Sequence, residues 1–285
     1  MSTTRRTVAV LGATGRQGGQ VARHLLADGW IVRALTRTPD GEKAAELRRL
    51  GAEIVGADLE DQGSLDAAFA GAYGLYSVQL PHSGFIEIEI RQGLNAGRAA
   101  ARAGVRHVVY GSAGLDDRTR GIEQWDAKIE VARGFRELGL PLTVLRPMAF
   151  MELMTDPAYF PQSSTWYTMP KLLGDGYRVA WISVQDLGAI AARVFAEPER
   201  FAGRDLNLVA DVKSIAECRE IYREITGRKP PRLPMPLFLF RRFAGDDLIT
   251  MWRWLHDNPV DADPAETRQI QPGAMDVRAW LAGTT

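Results

Sequence analysis

Val8-Ala9-Val10-Leu11-Gly12-Ala13-Thr14-Gly15-Arg16-Gln17-Gly18-Gly19 decides the fold. The apolar run Val8–Leu11 has the length and composition of a strand buried on both faces. The stretch that follows places Val21, Leu25 and Leu26 at helical spacing. The turn between them carries glycines at 12, 15 and 18, one residue longer than the GxGxxG form. Gly12 allows a sharp turn off the strand. Gly15 lets backbone approach a pyrophosphate without a Cβ in the way, and Gly18 lets the helix pack tightly on the sheet. The helix mouth then offers amide N–H groups and a partial positive charge to phosphates. Gly12, Thr14, Gly15, Arg16, Gln17 and Gly18 are therefore the candidate contacts of a dinucleotide. A glycine string alone is weak evidence; its position between a strand and a helix at the head of an alternating series is what gives it weight.

Working outward, the alternation repeats. Strand-like runs are read at Ile31–Leu35, Glu53–Val55, Leu75–Val78, His107–Tyr110 and Leu142–Leu145. Helical spacing is read over Gln17–Ala27, Glu42–Leu50, Ser64–Phe69 with Ser64 as N-cap, Phe85–Ala103 and Gln124–Leu138. Six strands alternating with five helices imply an α/β fold, a doubly wound parallel Rossmann sheet with helices on both faces and right-handed crossovers. After Arg146-Pro147 the pattern breaks. Met148–Ala180 is rich in Met, aromatic residues and Pro, with little periodicity. Val184–Phe195 and Ser214–Thr226 read as helices, Leu206–Val209 as a strand, and the C-terminal residues as helical. The expected division is residues 1–150 as the dinucleotide-binding domain, with 179–210 returning to pack on it. Residues 151–178 and 211–285 form a smaller, mostly helical C-terminal lobe.

Composition narrows the function classes. The 285 residues carry 35 Lys+Arg and 35 Asp+Glu, a net charge of +0, and no basic run, so nothing marks nucleic acid or an anionic membrane as a partner. The single cysteine, Cys218, excludes an internal disulfide and reads as a small buried hydrophobe. No Cys/His cluster has metal-ligand spacing, and no metal is expected. With no signal peptide and no apolar run near ~20 residues, a cytoplasmic protein is expected.

The second strand selects the cofactor. An NAD site usually places Asp or Glu near its end, to bond the ribose hydroxyls. Here the strand ends Ala34-Leu35-Thr36-Arg37-Thr38. Arg37 stands where the acid would be, and a guanidinium can pair bidentately with a 2′-phosphate. Thr36, Thr38 and Arg16 are candidate helpers. NADP(H) is the expected cofactor.

At this point the sequence resembles a family. The turn at 12–19, Val32-Arg33-Ala34-Leu35-Thr36-Arg37, Gly56-Ala57-Asp58-Leu59, Ala103-Gly104-Val105, Lys128-Ile129-Glu130-Val131, Leu140–Pro147 and Ile182–Gly188 are similar to the NmrA-like group of atypical short-chain dehydrogenases/reductases. The resemblance spans roughly residues 7–210. It implies that Asp58 and Leu59 flank an adenine, and that Gln79 and Leu80 lie along the ribose and nicotinamide. It also implies that Ser112 faces the reacting end, and that Pro147, Met148 and Phe150 line the nicotinamide pocket.

The resemblance also frames the catalytic question. Short-chain reductases use Tyr-x-x-x-Lys on one helical face. Here Lys128 holds the lysine position, but Gln124 replaces the tyrosine, and an amide is no general acid. Lys128 then acts alone as acid/base, or only binds ribose hydroxyls, or is a solvated surface lysine. Tyr110, Tyr177 and His82 are spare proton donors that no spacing nominates. Phe150, Met151, Met154, Tyr159, Phe160, Trp166, Tyr167, Met169 and Trp181 supply either an adaptable apolar cavity or ordinary core. Two functions remain open. One is an NADPH-dependent reductase acting on a small, largely apolar carbonyl, quinone or conjugated acceptor. The other is a non-catalytic NADP(H) sensor read by a regulatory protein partner.

Overall fold

The computed structural model describes residues 6–80, 85–114, 121–156, 164–231 and 234–284. The chain clusters into two units. One comprises the residues up to Arg146 together with Val184–Leu206; the other comprises Pro147–Ser183 together with the residues from Asn207 onward. The sequence-based division placed 179–210 as one block with the first unit. In the structure only 184–206 cluster there, because 178–182 form a strand that pairs within the second unit.

The first unit alternates β1 (Thr7–Val10), α1 (Arg16–Ala27), β2 (Ile31–Thr36), α2 (Glu42–Arg49), β3 (Glu53–Gly56), α3 (Gln62–Phe69), β4 (Gly74–Ser77), α4 (Ile86–Arg102), β5 (His107–Gly111), α5 (Glu123–Glu137) and β6 (Leu142–Pro147). The sheet order is β3-β2-β1-β4-β5-β6, with a seventh strand, β9 (Asp205–Leu208), at the edge. The pairings β2–β3, β1–β2, β1–β4, β4–β5 and β5–β6 are parallel. All residues of β4, β5 and β6 are buried, which is why they read as continuous apolar runs rather than alternating ones.

Helix packing depends on small residues. α7 (Val184–Ala196) lies along α1. A Cβ on Gly188 would fall 2.8 Å from the backbone carbon of Gln20, so only glycine permits that approach. α4 and α5 interlock in the same way: a Cβ on Gly93 would meet Val131 at 2.5 Å, and one on Gly97 would meet Phe135 at 2.7 Å. The start of α3 corrects one reading. Asp61, not Ser64, is the N-cap, its carboxylate accepting from the amides of Gly63 and Ser64. The Ser64 hydroxyl instead donates to the Asp58 and Asp61 carbonyls, tying the helix to the loop after β3.

The second unit holds β7 (Ala149–Phe150), a short 3-10 turn at Met151–Met154, a π-helical turn at Ser164–Thr168, α6 (Met169–Leu173) and β8 (Arg178–Ile182). After α8 (Pro198–Phe201), which belongs to the first unit, come β10 (Asp211–Ser214), α9 (Ile215–Thr226), α10 (Leu237–Ala244), α11 (Asp246–Asp257), α12 (Ala265–Ile270) and α13 (Val277–Thr284). A small sheet, β10-β8-β7, is the feature that sequence periodicity missed. Ser214 and Glu217 close a reciprocal capping box at the start of α9, which fixes the helix start. Trp166 and Trp181 are wholly buried, and their indole N–H groups donate to the carbonyls of Met154 and Lys213. With Met151, Met154 and Met169 also buried, most of the aromatic and Met-rich stretch is this unit's core rather than an open cavity. Tyr159 and Phe160 lie outside the described residues.

Candidate functional site

Parallel pairing sends the C-terminal ends of β1 to β5 to one edge of the sheet, so the turns after them gather there. Gly12, Arg37, Asp58, Gln79 and Ser112 each lie at or just beyond such an end. The sequence-predicted positions therefore share one edge of the first unit, except Pro147 and Phe150. These two belong to the second unit, Pro147 closing β6 and Phe150 lying half-buried in β7.

The glycine turn is built as an open cradle. Gly12 has φ +62°, a left-handed conformation that glycine accepts at no cost. Its carbonyl accepts from the Gly15 amide at 2.8 Å, closing the turn. A Cβ on Gly18 would fall 2.7 Å from the Leu11 carbonyl oxygen, so a side chain there would push α1 off the strand. The N-cap of α1 is Gly15, no side chain caps the helix, and no acid lies in its first turn. Its positive end is thus not neutralised by the chain itself. Gln17 accepts from the Tyr76 hydroxyl at 3.3 Å, which anchors the first turn of α1 to β4. Thr14 is half-buried and Arg16 exposed in the same turn.

Arg37 is exposed just past β2, and its guanidinium has no hydrogen bond or ion pair among the described residues. Arg33, on the same strand, is engaged within the protein: it donates to Glu53 and to the carbonyls of Ala68 and Ala70 at the end of α3. The Thr36 hydroxyl accepts from the Thr38 amide at 3.1 Å, fixing the turn on which Arg37 stands. Asp58 is exposed, and its carboxylate accepts from the Glu60 amide at 2.9 Å, holding it into its own loop. Leu59 packs on the core and its carbonyl accepts from Asn95.

Lys128 is not a surface lysine. It is buried, and its ammonium donates to Glu89 Oε1 at 2.5 Å and to the Gln79 carbonyl at 3.3 Å. Glu89 itself is 1% exposed. The pair joins α5 to α4 and to the loop after β4. Two of the three ammonium donors are used, and the third has no partner among the described residues. Gln79 is buried, its amide nitrogen donating to Ser77 at 2.9 Å and its Oε1 without a partner among the described residues. Ser112 is buried after β5, with its amide bonded to the Leu145 carbonyl. Glu89 is the residue that sequence reading missed. The signal existed: Glu89, Gly93, Ala96, Gly97 and Ala100 share the buried stripe of α4, and a carboxylate among small residues needs a buried cation.

The spare proton donors fare differently. Tyr110 is wholly buried against Phe135, and burial pushes its hydroxyl well above the usual tyrosine value, with the Glu89 charge adding to the effect. Burial likewise raises Tyr177. His82 lies outside the described residues. Cys218 is buried, its thiol pushed up to about 12 by desolvation, which makes it inert. Among the described residues no group of His, Cys, Asp and Glu could hold a metal ion, and no helix is long and apolar enough to cross a membrane.

The sequence pattern of the NmrA-like family matches residues 4–281. The NmrA-like family domain-containing oxidoreductase himF of Aspergillus japonicus is 34% identical over 243 residues, covering 78% of this chain and 73% of that protein. The corresponding oxidoreductase FrzB of a Cladobotryum species is 32% identical, covering 78% and 74%. Among solved structures, the negative transcriptional regulator NmrA in complex with NADP superposes with a TM-score of 0.76 at 20% identity, covering 98% of this chain and 95% of that one. The triphenylmethane reductase of a Citrobacter species complexed with NADP(H) gives 0.78 at 21%, covering 98% and 99%. These two carry the fold, and the match over nearly the whole sequence carries the kinship. The chain belongs to the NmrA-like family.

Proposed function

We propose that the chain is an NADPH-dependent oxidoreductase that reduces a small, largely apolar carbonyl, quinone or conjugated acceptor. The observation that carries the cofactor is the glycine turn Gly12–Gly18, whose helix mouth no side chain caps, with Arg37 one strand away and unpaired among the described residues. The amides at the mouth of α1 suit a pyrophosphate, and Arg37 suits a 2′-phosphate. The similarity to relatives named as oxidoreductases supports the activity.

When bound, NADPH supplies a hydride to the acceptor carbon. The protein's part is to hold and protonate. The third N–H of Lys128 would donate to a ribose hydroxyl or to the oxygen that gains charge, while Glu89 keeps the ammonium in place. Ser112, at the end of β5, would lie toward the reacting end.

A second reading, a non-catalytic NADP(H) sensor acting through a protein partner, draws on Gln124 in place of tyrosine and on the ion pair that engages Lys128. One experiment separates the two. The protein is mixed with NADPH and a panel of quinones, aldehydes, enones and imines, and nicotinamide absorbance is followed. The enzyme reading expects turnover that falls at unchanged NADPH affinity in Lys128→Arg, which keeps a cation for Glu89 but gives up no proton. Tight NADPH binding with no turnover across the panel would favour the sensor.

A further inference from the structure

The second unit contains a cavity of about 320 Å³ that the reading above does not use. Its size falls at the lower end of the range for small-molecule sites. Leu172, Pro234, Met235, Pro236 and Leu237 make its apolar wall, and Tyr167, Thr168 and Lys171 make its polar one. Among the described residues, Lys171 is the only charged one lining it. Its ammonium lies 4.0 Å from the centre of the Tyr167 ring and donates to the Tyr167 hydroxyl at 2.7 Å. No carboxylate lies within ion-pair distance of it among the described residues. Thr168 is 3% exposed and its hydroxyl has no hydrogen-bond partner among the described residues. Both polar residues belong to the π-helical turn and the start of α6, where the wider turn breaks the usual ladder. At the rim, Leu237 is 39% exposed and the next residue, Phe238, 71%.

We propose that this cavity binds a small amphipathic anion: an apolar ring body bearing one carboxylate. The apolar wall would take the ring body. The carboxylate would supply the counter-charge that Lys171 lacks among the described residues. Lys171, held over the Tyr167 ring, needs little reordering to receive it. The proposal does not depend on a nucleotide bound to the first unit.

Calorimetric titration of the full chain, without nucleotide, tests it. The probes are 2-naphthoate and its neutral counterpart 2-naphthalenemethanol. The wild type is expected to bind the carboxylate at least about tenfold more tightly than the alcohol, the factor set by a charge-assisted hydrogen bond. Lys171→Gln, a change at an exposed side chain, is expected to abolish that preference without lowering the melting temperature. Leu237→Glu is expected to weaken both probes. Equal binding of the two probes, binding of neither, or a preference that survives Lys171→Gln overturns the proposal. So does a concentration-dependent dimer that Leu237→Glu dissociates and naphthoate leaves unchanged, because a second copy would then be the occupant.

Discussion

Arg37 and Lys128 are the two cations that the sequence nominates, and the structure gives them opposite surroundings. Arg37 stands exposed on a fixed turn, with no partner among the described residues. Lys128 is buried and bonded to a carboxylate that is itself inside the protein. An exposed, unpaired cation at a strand end contributes little to folding and is available to a ligand. A buried, paired one must first hold the fold, and any chemistry it does is done with the donor left over. The two residues should therefore separate cleanly when binding and stability are measured side by side.

The largest expected effect is at the buried pair. Lys128→Met should cost about 3–5 kcal/mol of stability by stranding the Glu89 carboxylate. The double change Lys128→Met with Glu89→Leu should recover most of it, both read by denaturant unfolding. If the single change costs under about 1 kcal/mol, the pair is not the constraint described here.

A second buried group sharpens the same contrast. His107 is wholly buried, and its Nε2 bonds the Thr143 hydroxyl at 2.9 Å. That hydroxyl spends its proton on the Phe201 carbonyl, so Nε2 must be the donor and Nδ1 the bare nitrogen, which has no partner among the described residues. Desolvation accordingly lowers its pKa from 6.5 to about 4. The unfolded chain binds the proton more readily, so stability is full above about pH 6.5, falls as pH drops toward 4, and levels off below. The shift corresponds to about 3 kcal/mol. His107→Gln should flatten that acid limb.

Arg37 gives the smallest of these effects, confined to ligand affinity. Arg37→Ala should weaken NADPH binding by about 1.5–3 kcal/mol, leave NADH binding nearly unchanged, and leave the melting temperature where it is. A loss of stability on this change would erase the contrast with Lys128.

What the sequence revealed follows the same divide. The first unit was legible because its central strands are buried on both faces and its helices end at glycine, so period and punctuation agree. The small sheet of the second unit was not. β10 is Asp-Val-Lys-Ser, with little apolar pattern to read, and its Asp211 accepts from the Val212 and Val277 amides. β7 has only two residues, too few to show any period. At the site, the turn and Arg37 could be read from spacing alone. Glu89 could not be paired with Lys128, because 39 residues separate them and only the packing of α4 on α5 brings them together.

The central claim is that a glycine turn whose helix mouth no side chain caps, with Arg37 one strand away, takes a dinucleotide with a 2′-phosphate. Titrating the intact chain with NADPH and with NADH, at one ionic strength, tests it most directly. The account predicts saturable binding of both, with NADPH at least about tenfold tighter, the ratio for one charge-assisted contact. Equal affinities, or no binding of either nucleotide, would contradict it.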